Sequence, residues 1–202
     1  MVYENPGIRS ENGAIDTGEY EGMWKRGKRE GRGEMRWSDG SVFVGEWKKD
    51  SRFHGKMTMQ DGSVYTGRFL NDKFHGEATL KLTTGMTYQG YFDKGGKCKK
   101  QGKLLFNNGN HYEGQLEDFQ MHGKGRLYYK DGDVYDGEFE MGQRKGFGLF
   151  ISKGGDKYIG YWHNDRRDGF GRSYGVISKE YYEGYFSNDR KNGNGKLIFP
   201  DL

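Results

Sequence analysis

Cysteine and proline are nearly absent from this chain. A single cysteine, Cys98, in 202 residues excludes an internal disulfide framework and any cysteine-based zinc site. A reducing compartment is the simpler setting. The only prolines, Pro6 and Pro200, stand near the two ends, so no residue between them removes a backbone donor. No apolar run approaches the length of a bilayer-spanning helix. The N-terminus also lacks the apolar stretch of a signal peptide, and the sequence reads as that of a soluble, cytoplasmic protein. Hydrophobic residues make up 32% of the chain, well below the near-half of ordinary globular domains, which argues against a thick aliphatic core. The net charge of +4 is too small to mark a nucleic-acid binder.

What is abundant is glycine, 36 residues, and aromatic side chains, 16% of the chain. Disordered chains are poor in aromatics, so this composition points to short strands joined by tight turns. The aromatics recur. Units open at Tyr20, Phe43, Tyr65, Tyr88, Tyr112, Tyr135, Tyr158 and Tyr182, at intervals of 23, 22, 23, 24, 23, 23 and 24 residues. A fixed period of this kind marks an array whose units bury their apolar faces against neighbours. Residues 1–19 fall outside the pattern and are expected to cap the first unit or to remain flexible; residues 20–202 form the eight-copy array.

Each unit holds two strand-like runs. In the first, as in Tyr112-Glu113-Gly114-Gln115-Leu116, an aromatic, a glycine and a large apolar residue alternate with polar ones, which puts the three on one face. The second run follows a Gly-x-Gly such as Gly123-x-Gly125 and carries same-face apolar residues, here Leu127 and Tyr129. The seventh unit breaks this rule with Ser173 and Gly175, and the sixth has Ser152 after Phe150. A polar loop is expected between the runs, and Asp-Gly or a relative, such as Asp131-Gly132, turns the chain into the next unit. The expectation is an all-β, single-layer antiparallel meander of about sixteen short strands, roughly 75 Å long at the usual strand spacing, twisted and not closed into a barrel.

The pattern Y-x-G-x-[W/F]-x-x-[G/D]-x-x-x-G-x-G, best matched at Tyr112–Gly125, Tyr135–Gly148, Tyr158–Gly171 and Tyr182–Gly195, resembles the MORN repeat. Departures are Phe43 for tyrosine, a shortened second loop at Phe53-His54 and a lengthened fourth loop around Gly95-Gly96. The resemblance implies an elongated, twisted or curved β-hairpin array that binds proteins in cytoskeletal, ciliary or axonemal, or membrane-cortex assemblies, with lipid as the alternative ligand. Such arrays also precede catalytic domains, so an accessory region of an enzyme is a further alternative.

No catalytic chemistry is visible. His54, His75 and His122 recur at one point of the repeat and belong to its packing, while a triad or metal site needs convergence on one point. The Gly-x-Gly pairs open no helix and so are not phosphate loops. The chain is expected to be no enzyme and to hold no cofactor or metal.

Two asymmetries could carry function. The intra-repeat loops are basic, most strongly at Lys25, Arg26, Lys28, Arg29 and Arg32 and at Lys94, Lys97, Lys99, Lys100 and Lys103; an anionic membrane surface is the partner they would suit. The face opposite the rings is mostly polar in the first three units. From the fourth onward it carries Tyr91, Leu105, Tyr128, Leu149, Ile151, Ile159, Tyr161, Tyr174, Tyr185 and Ile198. A one-layer sheet has no second layer to cover them, which points to a protein partner, an extended or helical segment, or to a homodimer.

Overall fold

The computed structural model describes residues 17–199. They form sixteen antiparallel strands whose order in the sheet follows the order in the chain, and no helix occurs among them. The chain divides into two compact units between Lys99 and Lys100. The first contains β1 (Gly18–Lys25), β2 (Lys28–Trp37), β3 (Val42–Lys48), β4 (Ser51–Thr58), β5 (Val64–Leu70), β6 (Lys73–Lys81), β7 (Thr87–Phe92) and the start of β8 (Cys98–Leu105). The second contains the rest of β8, then β9 (His111–Glu117), β10 (Gln120–Tyr128), β11 (Val134–Glu140), β12 (Gln143–Ile151), β13 (Lys157–His163), β14 (Arg166–Tyr174), β15 (Tyr181–Ser187) and β16 (Arg190–Ile198). Strand β1 starts two residues before Tyr20; the cap expected for residues 1–19 otherwise lies outside the described residues.

The aromatic register is as the sequence implies. Phe43, Tyr65 and Tyr88 in the first unit, and Tyr112 and Tyr135 in the second, are fully buried, with Trp47, Phe69, Phe92, Leu116, Phe139, Trp162 and Phe186 beside them. The rings meet edge to face, within hairpins (Tyr135–Phe139, 5.1 Å between centroids) and from one hairpin to the next (Tyr135–Trp162, 5.2 Å). That geometry aligns ring edge with ring face and adds to area burial.

Glycines make this layer possible. Cross-strand pairing runs Gly22–Gly33–Gly45–Gly55–Gly67–Ala78–Gly90 across the first unit. In the second it runs Gly102–Gly114–Gly125–Gly137–Gly148–Gly160–Gly171–Gly184–Gly195. Each tyrosine ring lies along this furrow: a β-carbon at Gly114 or Gly125 would collide with the Tyr112 hydroxyl. At the end of the furrow the hydroxyl donates to the carbonyl three residues on in all seven tyrosine-opened hairpins, at 2.6–3.2 Å.

The structure corrects the expectation of a loop within each repeat. The polar stretch between the two runs is strand, not loop. Outside the fourth hairpin, whose longer turn lies between Phe92 and Cys98, the chain reverses over two residues, both with positive φ, as at Asn164-Asp165 (47° and 64°) and Asn188-Asp189 (48° and 69°), the conformation of a type I′ hairpin, which asparagine and aspartate tolerate. The first glycine of Gly-x-Gly then forms a bulge, with φ of 79° at Gly31 and 66° at Gly146. The ladder skips the opposite residue: Met23, Gln115, Glu138, Tyr161 and Tyr185 have no direct cross-strand partner in their own hairpin. Their carbonyls are the ones the tyrosine hydroxyls reach. In the second and third hairpins that residue keeps a partner, Glu46 with His54 and Arg68 with His75; Phe43 takes the tyrosine position in the second, while in the third Tyr65 still donates to the Arg68 carbonyl. The first six inter-repeat turns are three-residue loops closed by a glycine amide, such as Gly132 N–H to Tyr129 O at 3.0 Å, and the seventh is a four-residue loop between Gly175 and Glu180.

The Gly125→Ala variant is expected to lose about 2 kcal/mol, because its methyl group displaces a packed phenol. Gly142→Ala, in open space but at φ 84°, is expected to cost only the backbone term of about 1 kcal/mol. Denaturant midpoints of the two variants check this ordering. Burial also pushes the Tyr88, Tyr112 and Tyr158 phenols up from 10.0 to about 12. The folded state therefore holds these protons more tightly than the unfolded chain. That contribution is complete below pH 10 and is lost as pH rises towards about 12. Phenolate absorbance followed against pH is expected to show a delayed class of tyrosines that ionise together with unfolding.

Candidate functional site

Strand alternation puts the residues between the ring positions on the opposite face, and in the second unit they form three rows. The row nearest the inter-repeat turns pairs Leu105 with His111, Tyr128 with Val134 and Tyr174 with Tyr181, ending at Ile198; His111 stacks on Tyr128 at 4.4 Å. The middle row is charged and internally paired: Lys103–Glu113 at 2.9 Å, Arg126–Asp136, and Arg172–Glu183 at 3.3 Å. The Lys103 bond holds the Glu113 carboxyl below its usual range, and the Tyr181 hydroxyl, with Arg172 beside it, does the same for Glu183. In the midst of this row stand Leu149 and Ile159, paired with each other.

The third row changes character along the chain. It begins with Gln101, Gln115, Lys124 and Glu138 and then becomes Phe147, Tyr161, Phe170 and Tyr185. Phe147 pairs with Tyr161, ring centroids 5.6 Å apart, and Phe170 with Tyr185 at 5.5 Å. Tyr161 and Phe170 are neighbours at the β14 bulge, where Gly169 lies against the Tyr161 β-carbon. These side chains are open to solvent: Phe147 at 48%, Tyr161 at 51%, Tyr185 at 53%. With Leu149 and Ile159 they make one contiguous apolar patch on strands β12 to β15.

Of the residues expected on this face, Ile159, Tyr161 and Tyr185 belong to the patch's exposed part, while Leu149 and Ile151 are half-buried. Leu105, Tyr128, Tyr174 and Ile198 lie in the turn-proximal row. Tyr91 is in the first unit, with the Lys99 ammonium 4.6 Å over its ring. Phe147 and Phe170 were not expected, because each is the middle residue of a Gly-x-Gly assigned to a loop. Their period-two spacing from Leu149 and from Arg172 is the signal that places them on this face.

The basic residues divide differently. Lys25, Arg26, Lys28 and Arg32 are exposed in the first unit, as are Lys94, Lys97 and Lys99; Lys100 is exposed and Lys103 half-buried in the second. Arg29 is a correction. It is buried at 3% exposure, with its guanidinium 4.2 Å over the Trp47 ring and donating to the Asp50 carbonyl at 3.0 Å, so it is unavailable to a headgroup. The same tie recurs. Arg144 lies 4.2 Å over Trp162; its Nε and backbone amide donate to the Asp165 carboxylate at 3.1 and 2.9 Å and its Nη2 to the Asp165 carbonyl. Arg52–Asp72 and Arg167–Asp189 repeat it. Each links a hairpin to the turn of the next. In the third and fifth hairpins an apolar residue takes the arginine's place, Phe74, stacked at 3.8 Å on Tyr65, and Met121; in the eighth it is Lys191, 4.8 Å over the Tyr182 ring. Among the described residues no three His, Cys, Asp or Glu side chains gather as metal ligands.

An open array of antiparallel hairpins, each built on a tyrosine over paired glycines, defines a class of non-globular repeat proteins. The chain belongs to the MORN repeat family, whose profile matches residues 20–42, 65–87, 112–134, 135–157, 158–176 and 182–201. The two hairpins left unmatched contain the shortened and the lengthened connection. No curated protein matches the chain. Among solved structures, the TCP10 domain of Danio rerio CPAP is similar over 89% of this chain and 82% of its own, at 12% identity and a TM-score of 0.49. The TCP domain of Drosophila melanogaster SAS-4 (dCPAP), in complex with a proline-rich motif of Ana2, is similar over 89% and 95%, at 10% identity and a TM-score of 0.48. The G-box domain of the microcephaly protein CPAP covers 96% and 98%, at 15% identity and a TM-score of 0.38. Likeness at this level carries no argument about partners.

Replacing Arg144 with alanine is expected to cost about 2 kcal/mol, from the lost ring stacking and the unpaired Asp165 acceptors. Arg144→Lys is expected to recover less than half, since an ammonium cannot stack and fork at once. Urea midpoints for the two variants test this.

Proposed function

We propose that this chain is a non-catalytic scaffold that grips a protein partner through the second face of its later repeats. The observation that carries the reading is the exposed row Phe147, Tyr161, Phe170 and Tyr185 with Leu149 and Ile159 behind it. Tyrosine and phenylalanine supply large contact area at low entropic cost, which is why aromatic side chains dominate binding hot spots. The charged row on either side is already internally paired and forms a polar rim that favours correct seating over raw affinity. The occupant is an extended or helical segment of a partner in a cytoskeletal or ciliary assembly, the setting that the family resemblance suggests. Anionic lipid is a weaker reading: Arg29 is withdrawn from the basic surface, and Lys28 lies 3.9 Å from Asp50.

Crosslinking mass spectrometry from cells should identify the partner. The double variant Tyr161→Asp, Tyr185→Asp is expected to weaken its capture at least about 30-fold, as removal of two central aromatics would, with the circular dichroism spectrum unchanged. Undiminished capture by the folded double variant would rule out this face.

A further inference from the structure

The ring-bearing face, opposite the patch above, contains a gap. In the first, second, third, fifth and sixth hairpins the second strand sets a large apolar side chain between two ring positions. Leu127, for example, pairs with Tyr112 on one side and Tyr135 on the other. In the seventh hairpin the residue between Tyr158 and Tyr182 is Ser173. The next same-face position is Gly175, and its counterpart one repeat earlier is Ser152, where other repeats have Trp37, Phe106 or Tyr129. Three adjacent large side chains are therefore missing from an otherwise filled layer. What remains is a cleft of about 520 Å³ walled by Phe150, Tyr158 and Trp162.

The rim does not suit an ionic ligand. Arg144 and Arg167 are each tied to an aspartate of the following turn, and Glu180 is paired with Lys191. The cations over Trp162 and Phe186 are the protein's own. Asp156 and Lys157 also stand on the rim, Asp156 accepting from the Val176 amide. Tyr158 and Trp162 are covered by the arginines, and Phe150 is the ring left half-open to the cleft, beside the place where other repeats set a leucine or phenylalanine side chain.

We infer that this cleft receives one large apolar side chain, leucine, phenylalanine or tryptophan, presented by a partner polypeptide. The anchor occupies the position that the repeat fills for itself elsewhere, between the Tyr158 and Tyr182 rings. Its flanking backbone meets the serine hydroxyls and paired charges of the rim. The site is independent of the Tyr161–Tyr185 patch, which lies on the other face.

The test fills the gap from within. Ser173→Leu restores the side chain that the other repeats carry. Gly175 is unsuitable, because a β-carbon there collides with the Ser178 hydroxyl. Peptides from a random library displayed on phage are selected on the wild-type chain and counter-selected on Ser173→Leu. The selected peptides are expected to share one Leu, Phe or Trp, to bind Ser173→Leu at least tenfold more weakly, and to lose the same factor when that anchor becomes alanine. Ser173→Leu itself is expected to melt at or above the wild-type temperature, which separates loss of binding from loss of fold. The double variant Tyr161→Asp, Tyr185→Asp is expected to keep full affinity for these peptides. Selected peptides that bind Ser173→Leu equally, a selection that yields none, or a marked fall in the melting temperature of Ser173→Leu would each overturn the assignment.

Discussion

The contact on which the rest depends is a phenol ring lying along paired glycines. A sheet of one layer has nothing above it to exclude water from its apolar side chains. Here the layer covers itself. With glycine at every furrow position but Ala78, the tyrosines lie down against the backbone instead of standing up from it, and a ring of the next hairpin closes over edge to face, as Trp162 does over Tyr135. Aromatic side chains are the ones large enough to make this work with so few aliphatics. That is how a chain with 32% hydrophobic residues fully buries Phe43, Tyr65, Tyr88, Tyr112 and Tyr135.

The hydroxyl is part of the same constraint. The bulge leaves a carbonyl unpaired beside the apolar layer, and an unmatched acceptor there costs about 1–3 kcal/mol. The tyrosine supplies the donor. The second hairpin is a residue shorter here, keeps Glu46 paired with His54 and opens with Phe43, which has no hydroxyl to donate; the third keeps Arg68 paired with His75, and the Arg68 carbonyl still accepts from Tyr65. The arginine ties extend the logic between repeats, since each guanidinium covers the outer face of a ring while its hydrogen bonds fasten the following turn.

The repeat and its ring face were legible in the sequence because they follow period-two alternation, and the strand count came with them. The bulge was not. A Gly-x-Gly reads as a loop until the two-residue turn before it is known, and that turn is occupied by residues as different as Arg26-Gly27, Lys49-Asp50 and Met141-Gly142. Misplacing the strand start hid Phe147 and Phe170, and it placed Arg29 among surface charges when its position at the start of β2 sends it over Trp47. A charged residue near a turn is normally solvated, and only the ring of the next repeat, about twenty residues on, changes that.

The turns also bear on how such a sheet is reached. All-β domains usually fold slowly, because strands distant in sequence must find one another and the intervening chain must be closed. Here every ladder joins strands adjacent in the chain, most across only two or three turn residues, and the ties between hairpins span about twenty. Contact order within each unit is therefore closer to that of a helical bundle than of a sandwich, and any one hairpin with its tyrosine seated can serve as the nucleus on which its neighbours assemble.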